Sequence, residues 1–521
     1  MAPSAKNATS SPSAPVALSP FTVTGSNLHR LDEEKALPVT VLTAADFDVR
    51  NASQPADLLT ALPEITGLPN NETATLGATA RGDNASLSLR GLVSSDTLVL
   101  LDGRRLVPHP ISQFEGSTLA LTPNVNQLPS HGVERIEVLR DGASSIYGAD
   151  AVAGVVNYVM AKNFRGTELQ TTFGQTHSRD GTEFRATLNH GREFAGARGR
   201  MVVVADFFNR QALYARDRAF AADADHSALA PPPWNVATVS SGGFNARSAT
   251  SDYGSFSLGT PTATDAYGNV TAFASARPAG VPTTLAAASG QFFLAPQAGG
   301  SVGFQPTTPS RAGVTHDYYW NNNAARVIQP QSTRGNVFAA AEFDFTDRLT
   351  AFADLSFYQA RSVTYREPDG ISASTDGSIV VPATNPYNPF GDRFWSTTGA
   401  PNADGTPRLT GAPSAVLITN KRLSDLPTRT DFVTDSVYRG VAGLRGKLSG
   451  SWSWEAALLW STARVIEFEA GTTRKSLLVN ALNQSDPAKA FNPFTRTFAV
   501  QHGTLVVTGP FTNPASVTSA F

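Results

Sequence analysis

Histidine and serine are the residues with which this sequence could perform hydrolytic or metal chemistry. The eight histidines are scattered, and none forms the His-x-x-x-His spacing that places two ring nitrogens on one side of a helix. A Gly-x-Ser-x-Gly match at Gly299–Gly303 lies in a stretch rich in Gly, Pro and Thr, whereas a nucleophile elbow must follow a strand and precede a helix. The sequence therefore predicts no catalytic residue, no metal site and no cofactor, and hence no enzyme.

The composition excludes further classes of protein. The 521 residues include no cysteine, which rules out disulfides, thiolate metal sites and a cysteine nucleophile. The formal net charge is −2, so no positive field for nucleic acid is expected. Charged residues make up 16% of the chain, below the roughly 25% that is usual in soluble domains. No apolar run reaches the roughly 18 residues of a membrane helix, so a membrane-spanning form would have to be a closed sheet.

Several segments after Phe164 alternate apolar and polar residues with a period of two, as strands with one apolar face do. They are Phe184–Asn189, Asn336–Phe345, Leu349–Phe357, Tyr438–Leu448 and Trp452–Thr462.

The connections between these strands differ greatly in length. Gly191–Gly199, Thr346–Arg348 and Ser449–Ser451 are short, whereas the stretches 215–333, 367–435 and 469–521 are long and rich in Pro, Gly, Ser, Thr and Asn. Short turns at one end and long loops at the other are typical of outer-membrane barrels. A soluble β-sandwich with long loops is the alternative.

The first part of the chain has a different pattern. Residues 38–162 predict a small α+β domain with strands at Val39–Leu42, Val133–Arg140 and Gly154–Val159. Asp102-Gly103 between Thr97–Leu101 and Arg104–Val107 predicts a hairpin, because a type I′ turn needs positive φ at both central positions. Residues 1–37 predict a polar, flexible leader that carries one β-prone patch.

Four motifs in this region resemble, in the same order, the plug domain of the TonB-dependent receptors of Gram-negative outer membranes. They are Ser88–Leu92, Thr97–Val107, Val133–Arg140 and Ser144–Asn157. Asn385–Gly391, farther along, is similar to a loop signature of the same family.

The resemblance implies an α+β plug domain followed by antiparallel transmembrane β-barrel strands. About seven strands are expected here, against the roughly 22 of a complete transporter barrel that encloses a plug. The expected organisation is a leader at 1–37, a plug at 38–162 and a partial barrel with long extracellular loops at 163–521. The implied function is TonB-dependent import of a scarce ligand, of the siderophore, cobalamin or glycan class, across the outer membrane. The implied partners are the TonB energy transducer, outer-membrane lipid and a small ligand at the extracellular face.

The β-prone patch of the leader is similar to the family's TonB box, its TonB-binding segment. An exposed, extended segment can add as a strand to the edge of a partner's sheet through main-chain hydrogen bonds. The residues assigned to it are Leu18, Ser19, Pro20, Phe21, Thr22, Val23 and Thr24. A tail with incidental β-propensity is the alternative.

The plug motifs supply the other candidate residues, as plug motifs or as contacts between plug and barrel. They are Arg90, Gly91, Asp102, Gly103, Arg104, Arg135, Glu137, Arg140, Tyr147, Gly148, Gly154 and Asn157. Arg90, Arg135, Glu137 and Arg140 are candidates for ion pairs with the barrel wall, with solvated strand charges as the alternative. Gly148 and Gly154 are expected to serve backbone conformation or close packing.

Two further hypotheses concern the whole chain. An odd count of about seven strands, with 483–521 predicted as loop, suggests a truncated, non-transporting fragment, since single-chain bacterial barrels have even strand numbers. Such a chain is expected not to form a stable pore. A signalling receptor is the third hypothesis, and the short leader before the TonB-box-like patch disfavours it.

Overall fold

A computed structural model of the chain describes residues 39–43, 55, 59, 62–65, 82–111, 113–115, 118–232, 244–309, 318–448 and 452–521. Three sheets organise these residues: a five-stranded sheet near the N-terminus, a seven-stranded sheet of long strands, and a second seven-stranded sheet made from the long connections. Within these ranges, no helix has both the length and the apolarity to cross a membrane.

The N-terminal elements form the plug. In chain order they are β1 (Val39–Thr43), β2 (Thr97–Leu101), β3 (Arg104–Arg105), β4 (Gln113–Glu115), β5 (Thr118–Ala120), β6 (Val133–Leu139), α1 (Ser144–Tyr147) and β7 (Gly154–Met160), with 3-10 turns at Ser94–Asp96, Val125–Gln127 and Ala149–Ala151. The main sheet has the order β1-β6-β7-β2-β3, and β7 runs parallel to β2 and antiparallel to β6.

The hairpin between β2 and β3 has the predicted turn. Asp102 and Gly103 have φ values of 51° and 74°, as a type I′ turn requires. The Gly103 amide donates to Oδ1 of Asn157 over 2.9 Å, and the Met160 amide donates to Oδ1 of Asp102 over 3.0 Å. The turn is therefore fastened to β7 by side-chain hydrogen bonds as well as by the strand pairing.

Gly154 begins β7 at a point where a side chain would not fit. A Cβ atom there would lie 2.4 Å from the Leu139 carbonyl oxygen and 2.8 Å from Cδ1 of Leu89. The residue also has a φ of 148°, which L residues rarely adopt. Close approach and backbone conformation therefore both require glycine, as the sequence predicted.

The remaining elements follow Lys162. They are β8 (Gly166–Gly174), β9 (Glu183–Phe194), β10 (Gly199–Arg210), β11 (Leu213–Tyr214), β12 (Ser255–Thr264), β13 (Val270–Ser275), β14 (Gln291–Pro296), β15 (Val302–Gln305), β16 (Val327–Gln329), β17 (Gln331–Thr346), β18 (Leu349–Pro368), β19 (Gly370–Ser372), α2 (Ala373–Asp376), β20 (Val380–Val381), β21 (Trp395–Ser396), β22 (Leu409–Thr410), β23 (Ala415–Arg422), β24 (Thr428–Lys447), β25 (Ser453–Ala470), α3 (Lys475–Leu482), β26 (Arg496–Gln501), β27 (Thr504–Pro510) and α4 (Ala515–Thr518), with 3-10 turns at Ala215–Asp217, Ser227–Leu229 and Asn322–Ala324.

Seven long strands form one antiparallel sheet, which we call the wall. Its order is β25-β24-β18-β17-β10-β9-β8, so each strand pairs with the wall strand before it in the chain. The number of strands and the period-two alternation agree with the sequence prediction. The wall is an open sheet with β8 and β25 at its edges.

The wall buries its polar face and exposes its apolar face. On β9, Phe184 and Leu188 are exposed while Arg185 and Thr187 are buried. On β18, Leu355 is 62% exposed and its neighbour Asp354 only 1%. A soluble sandwich packs its apolar face inward, so this inverted arrangement excludes the sandwich hypothesis and is that of a barrel wall facing lipid.

Exposed aromatic residues mark two levels on the outer face of the wall. Toward the long connections they are Phe173, Phe184, Phe207, Tyr438 and Trp460, and toward the short turns they are Phe194, Phe345, Trp452 and Trp454. At about 3.4 Å per residue and a tilt of about 45°, the nine steps from Tyr438 to Lys447, the last residue of β24, rise about 22 Å. This height matches the roughly 25 Å apolar band that aromatic girdles enclose in outer-membrane barrels.

The plug lies against the inner face of the wall. Its apolar core, which includes Ile136 and Tyr158, is continuous with an apolar patch of the wall made by Val202, Val204, Phe338 and Ala340. Gly132 of the plug sits directly against Val204, where a Cβ atom would be 2.5 Å from Cγ2. The wall therefore completes one side of the plug core.

The long connections are folded, unlike the loops that the sequence predicted. We call the folded residues of 211–330, 369–427 and 471–521, which are connections one, two and three, the cap. Its sheet has the order β15-β14-β12-β23-β19, with β13 and β20 attached at β12 and β23. The stretch 483–521, predicted as loop, contains the hairpin β26–β27. These strands are mostly short and lie in long segments rich in Pro and Gly, so they lack the long alternating pattern that revealed the wall strands.

We expect Gly154→Ala to destabilise the plug by at least about 2 kcal/mol, because the new methyl group overlaps the Leu139 carbonyl in an already strained backbone. Pulse proteolysis in urea, read as the denaturant midpoint for cleavage of the plug, measures the loss. Gly335→Ala on β17 is the control, since a Cβ atom there meets no other atom within 4 Å. Equal midpoints for the two variants would contradict the assignment.

Candidate functional site

The interface between plug and wall is where the structure concentrates buried polar groups. Alternation along the wall strands turns Asp206 of β10, Arg334 of β17, Asp354 of β18 and Asp435 of β24 toward the plug. All four are at most 6% exposed. Buried charges are stable only when they are paired or hydrogen-bonded, so each of them identifies a point at which the plug must supply a partner.

Asp83 is a plug carboxylate that accepts hydrogen bonds from the wall. Arg334 Nη1 lies 3.2 and 3.3 Å from its two carboxylate oxygens, and the Ser332 hydroxyl donates to Oδ1 over 3.1 Å. The Tyr358 hydroxyl lies 2.8 Å from Oδ2 and 3.0 Å from the Asp83 carbonyl oxygen. Two wall strands, β17 and β18, thus hold one plug residue.

Asp435 is a wall carboxylate that accepts hydrogen bonds from the plug. Its Oδ2 lies 3.0 Å from Asn124 Nδ2 and 3.0 Å from His109 Nε2. The Ile111 amide donates to His109 Nδ1 over 3.3 Å, which leaves Nε2 to carry the proton that faces Asp435. Asn124 also donates to the Asp83 carbonyl over 2.8 Å, and so links this contact to the neighbouring one.

A third contact joins the plug to β10 and β17. The Ser130 hydroxyl donates to Oδ2 of Asp206 over 2.6 Å, and His131 Nδ1 lies 3.5 Å from the same oxygen. Asn336 Nδ2 donates to the Gln127 carbonyl over 2.7 Å. The Ser130 hydroxyl also lies 3.1 Å from His131 Nδ1, so the serine, histidine and aspartate form one polar cluster between the plug and β10.

Lys162 joins the plug to the wall at the end of the plug sequence. Its Nζ lies 3.1 Å from Asp102 of the turn and 3.0 Å from Asp354 of β18. Burial raises the pKa of the Asp102 carboxyl, an effect that Lys162 only partly offsets. Burial lowers the pKa of the Lys162 ammonium, but the two carboxylates outweigh it and raise that pKa. Arg439 of β24, 3% exposed, adds a second positive charge that interacts with both carboxylates.

Arg104 makes a contact close to the short turns. Its guanidinium pairs with Glu455 of β25 and lies 5.2 Å from the ring centre of Phe352. Arg445 of β24 lies 5.6 Å from the same ring, so an arginine of the plug and one of the wall share one aromatic partner. Arg104, identified from the hairpin motif, is therefore a contact between plug and wall.

The other predicted ion-pairing residues have partners inside the plug. Arg140 Nη1 lies 2.7 Å from Glu64, and hydrogen bonding to Arg140 lowers the pKa of that carboxyl. Arg135 Nε lies 2.8 Å from Glu137, which is 1% exposed. Arg90 donates to the Ala153 carbonyl over 3.0 Å. These hydrogen bonds stabilise the plug from within.

The remaining motif residues shape turns. Arg90 and Gly91 have φ values of 58° and 71°, and Gly148 has a φ of 94°. The Tyr147 carbonyl accepts a hydrogen bond from Arg105, which also pairs with Asp150. The TonB-box-like residues, from Leu18 to Thr24, lie outside the described residues.

Sequence reasoning missed most of the plug residues at this interface. They are Asp83, His109, Asn124, Ser130 and Lys162. One residue of the wall could have indicated the interface. Asp354 alternates with the apolar residues of Leu349–Phe357, so its side chain must lie on the opposite, inward face. Nothing local pairs it with a lysine 192 positions earlier.

The described residues form no arrangement suited to metal binding. No group of three or more His, Cys, Asp or Glu side chains that could hold a metal ion occurs among them. The Gly-x-Ser-x-Gly match, Gly299–Gly303, enters β15 from a hairpin turn and so lacks the helix of a nucleophile elbow. The interface is therefore suited to hold the plug, as a separate unit, against a polar wall.

The N-terminal part of the chain resembles a known protein family. Residues 32–155 match the family model described as the TonB-dependent Receptor Plug Domain. Among solved structures, the siderophore receptor PirA from Acinetobacter baumannii is 14% identical, with a TM-score of 0.34 over 85% of this chain and 50% of that chain. A mutant of the ferric enterobactin receptor PfeA from Pseudomonas aeruginosa is 13% identical, with a TM-score of 0.33 over 86% and 57%.

The ferric citrate transporter FecA in its unliganded form is 13% identical, with a TM-score of 0.34 over 85% of this chain and 49% of that chain. The chain thus spans about half the length of these structures. The plug match covers the motifs from Ser88 to Val155, and the sheet that follows has an apolar outer and a polar inner face. Residues 32–155 are thus similar to the plug domain of TonB-dependent receptors.

Proposed function

We propose that the protein takes part in TonB-dependent import of a scarce small ligand across the outer membrane. The observation that carries the proposal is the chemistry of the plug interface, where Asp83, Asn124, Ser130, Lys162 and Arg104 all meet polar or charged residues of the wall. Hydrogen bonds of this kind can be exchanged for bonds to water, whereas an apolar core cannot be exposed at similarly low cost.

A plug held in this way can shift or partly unfold while the wall stays intact. The polar inner face of the wall, with Asp206, Asp354 and Asp435, is suited to line a water-filled path once the plug residues leave. The apolar patch around Val204 and Phe338 is the part of the interface that resists such a movement.

The energy for this movement is proposed to come from TonB acting on the leader. Leu18–Thr24 would add as a strand to the transducer's sheet, and the pull would pass through the chain to the plug. The ligand is proposed to belong to the siderophore, cobalamin or glycan class and to bind at the cap or the adjoining plug surface. Outer-membrane lipid would cover the apolar outer face of the wall.

The first test asks whether the transducer moves the plug. Ser86→Cys introduces the only thiol of the chain at a plug position that is 2% exposed. In energised cells that express the transducer, we expect a membrane-impermeant maleimide to label this thiol at least several-fold faster than in cells without the transducer. Collapse of the proton gradient should remove the difference. Equal labelling in all three cultures would reject the proposal.

The second test addresses the leader. Val23→Pro removes a main-chain donor from the proposed strand and should weaken binding of a TonB C-terminal domain by about tenfold or more. Binding to the full chain can be measured by surface plasmon resonance. Ala8→Pro, in the leader but outside the patch, is the matched control and should bind as the parent does. The role assigned to the patch fails if both variants bind alike.

The third test compares a buried ion pair with an exposed one. Asp83→Ala leaves Arg334 buried without this carboxylate, and loss of one partner of a buried pair costs about 3–5 kcal/mol. Asp150→Ala breaks the exposed pair with Arg105, for which about 0–1 kcal/mol is expected. Asp83→Ala should therefore clearly lower the urea concentration at which the plug leaves the wall and is cleaved by a protease. Asp150→Ala should leave that concentration nearly unchanged. A similar shift for both would show that Asp83 does not hold the plug.

A further inference from the structure

We infer that connections one, two and three of the cap fold and move as a single lid, and not as three independent loops. This inference concerns the long connections between wall strands and does not depend on how the plug moves. Four kinds of contact lead to it: a shared aromatic core, a partly buried carboxylate paired with a buried lysine, a set of Asn-Pro turns and a common sheet.

The aromatic core takes residues from all three connections. Phe256 and Phe292 belong to connection one, Phe390 to connection two and Phe494 to connection three, and each is 0% exposed. The ring centres of Phe256 and Phe494 are 4.9 Å apart, and those of Phe292 and Phe390 are 5.0 Å apart. Withdrawal of any one connection would expose the aromatic rings of the other two to water, which the hydrophobic effect opposes.

Asp252 joins the same three connections by polar contacts. This residue of connection one lies 3.3 Å from Nζ of Lys421, pairs with the Ser424 hydroxyl and lies 3.3 Å from Nη2 of Arg496. Lys421 is 0% exposed. Since an ammonium group buried without its counter-charge is strongly unfavourable, connection two cannot leave connection one without a large loss of stability.

The Asn-Pro turns tie connections to one another through buried amides. Asn385 accepts from the Tyr387 amide over 2.9 Å, and its own Nδ2 donates over 2.7 Å to the Leu482 carbonyl of connection three. Asn513 of connection three donates in turn to Asp425 of connection two. The segment Asn385–Gly391, singled out in the sequence as a loop signature, is thus a structural tie.

The cap sheet also crosses between connections. Strand β12 of connection one pairs with β23 of connection two, with Leu258 opposite Val416 and Ser257 opposite Leu417. The Ser414 hydroxyl adds a hydrogen bond of 3.2 Å to the Gly259 carbonyl. Main-chain pairing of this kind is lost only when the two strands separate along their length.

The base of the cap is held differently, by polar contacts at the end of a wall strand. Glu367 of β18 lies 2.7 Å from Arg326 of connection one. Arg422 of connection two donates to the Pro368 carbonyl of β18 over 2.8 Å. Apolar packing holds the three connections of the cap together, whereas polar contacts join the cap to the wall. We therefore expect the cap to separate from the wall more readily than its connections separate from one another. A ligand that needs space must therefore displace the whole lid or pass beside it.

The test is hydrogen exchange of the full chain in detergent, read strand by strand. Phe494→Ala in connection three opens a cavity next to Phe256, and exchange should rise at least about 30-fold in β12, β14 and β23 as well as in β26. The wall strands should not change. Phe220→Ala, at a phenylalanine of connection one that is 68% exposed, is the control and should leave all rates as they are.

A disulfide provides the opposite perturbation, in case Phe494→Ala prevents folding of the cap. Ser257→Cys with Leu417→Cys joins connections one and two at facing positions, in a chain that has no other cysteine. In a single lid, the oxidised form should slow exchange in β26 and β27 of connection three by about tenfold or more relative to the reduced form. Effects confined to the altered connection, in either experiment, would overturn the inference.

Discussion

The inverted polarity of the wall is the constraint on which the rest of the structure depends. A sheet that turns Phe184, Leu188 and Leu355 toward lipid must turn Arg185, Thr187 and Asp354 inward, because side chains alternate along a strand. Those inward groups are buried and need hydrogen-bond partners. The plug supplies them for Thr187 through His131 and for Asp354 through Lys162, so lipid on one side of the wall dictates a polar interface on the other.

The sequence could predict the features that are encoded locally. The Asp102-Gly103 turn, the need for glycine at position 154 and the period-two strands each depend on neighbouring residues only. Four motifs in order were enough to identify the plug. The wall contacts of Asp83 and Lys162 could not be predicted, because their partners lie 251 and 192 residues away and nothing near either residue specifies them.

The cap shows the same limit on a larger scale. Its strands are short and their apolar residues are spread over three connections, so that no single stretch has enough periodicity to indicate a fold. Composition alone favoured loops there, since Pro, Gly, Ser, Thr and Asn dominate. The buried amides of Asn385, Asn388 and Asn492 give those residues a structural role, because each one fixes a turn and satisfies a carbonyl group elsewhere.

The strand order of the plug sheet determines the sequence in which its strands would bear a pulling force. In the order β1-β6-β7-β2-β3, the first strand of the described residues is at the edge and pairs with β6, whereas β7, which continues directly into the wall, is the central strand. Tension applied to the leader reaches β1 first and can peel its five residues from β6 before any other pairing is strained. The anchoring strand, enclosed between β6 and β2, would be the last to bear that tension.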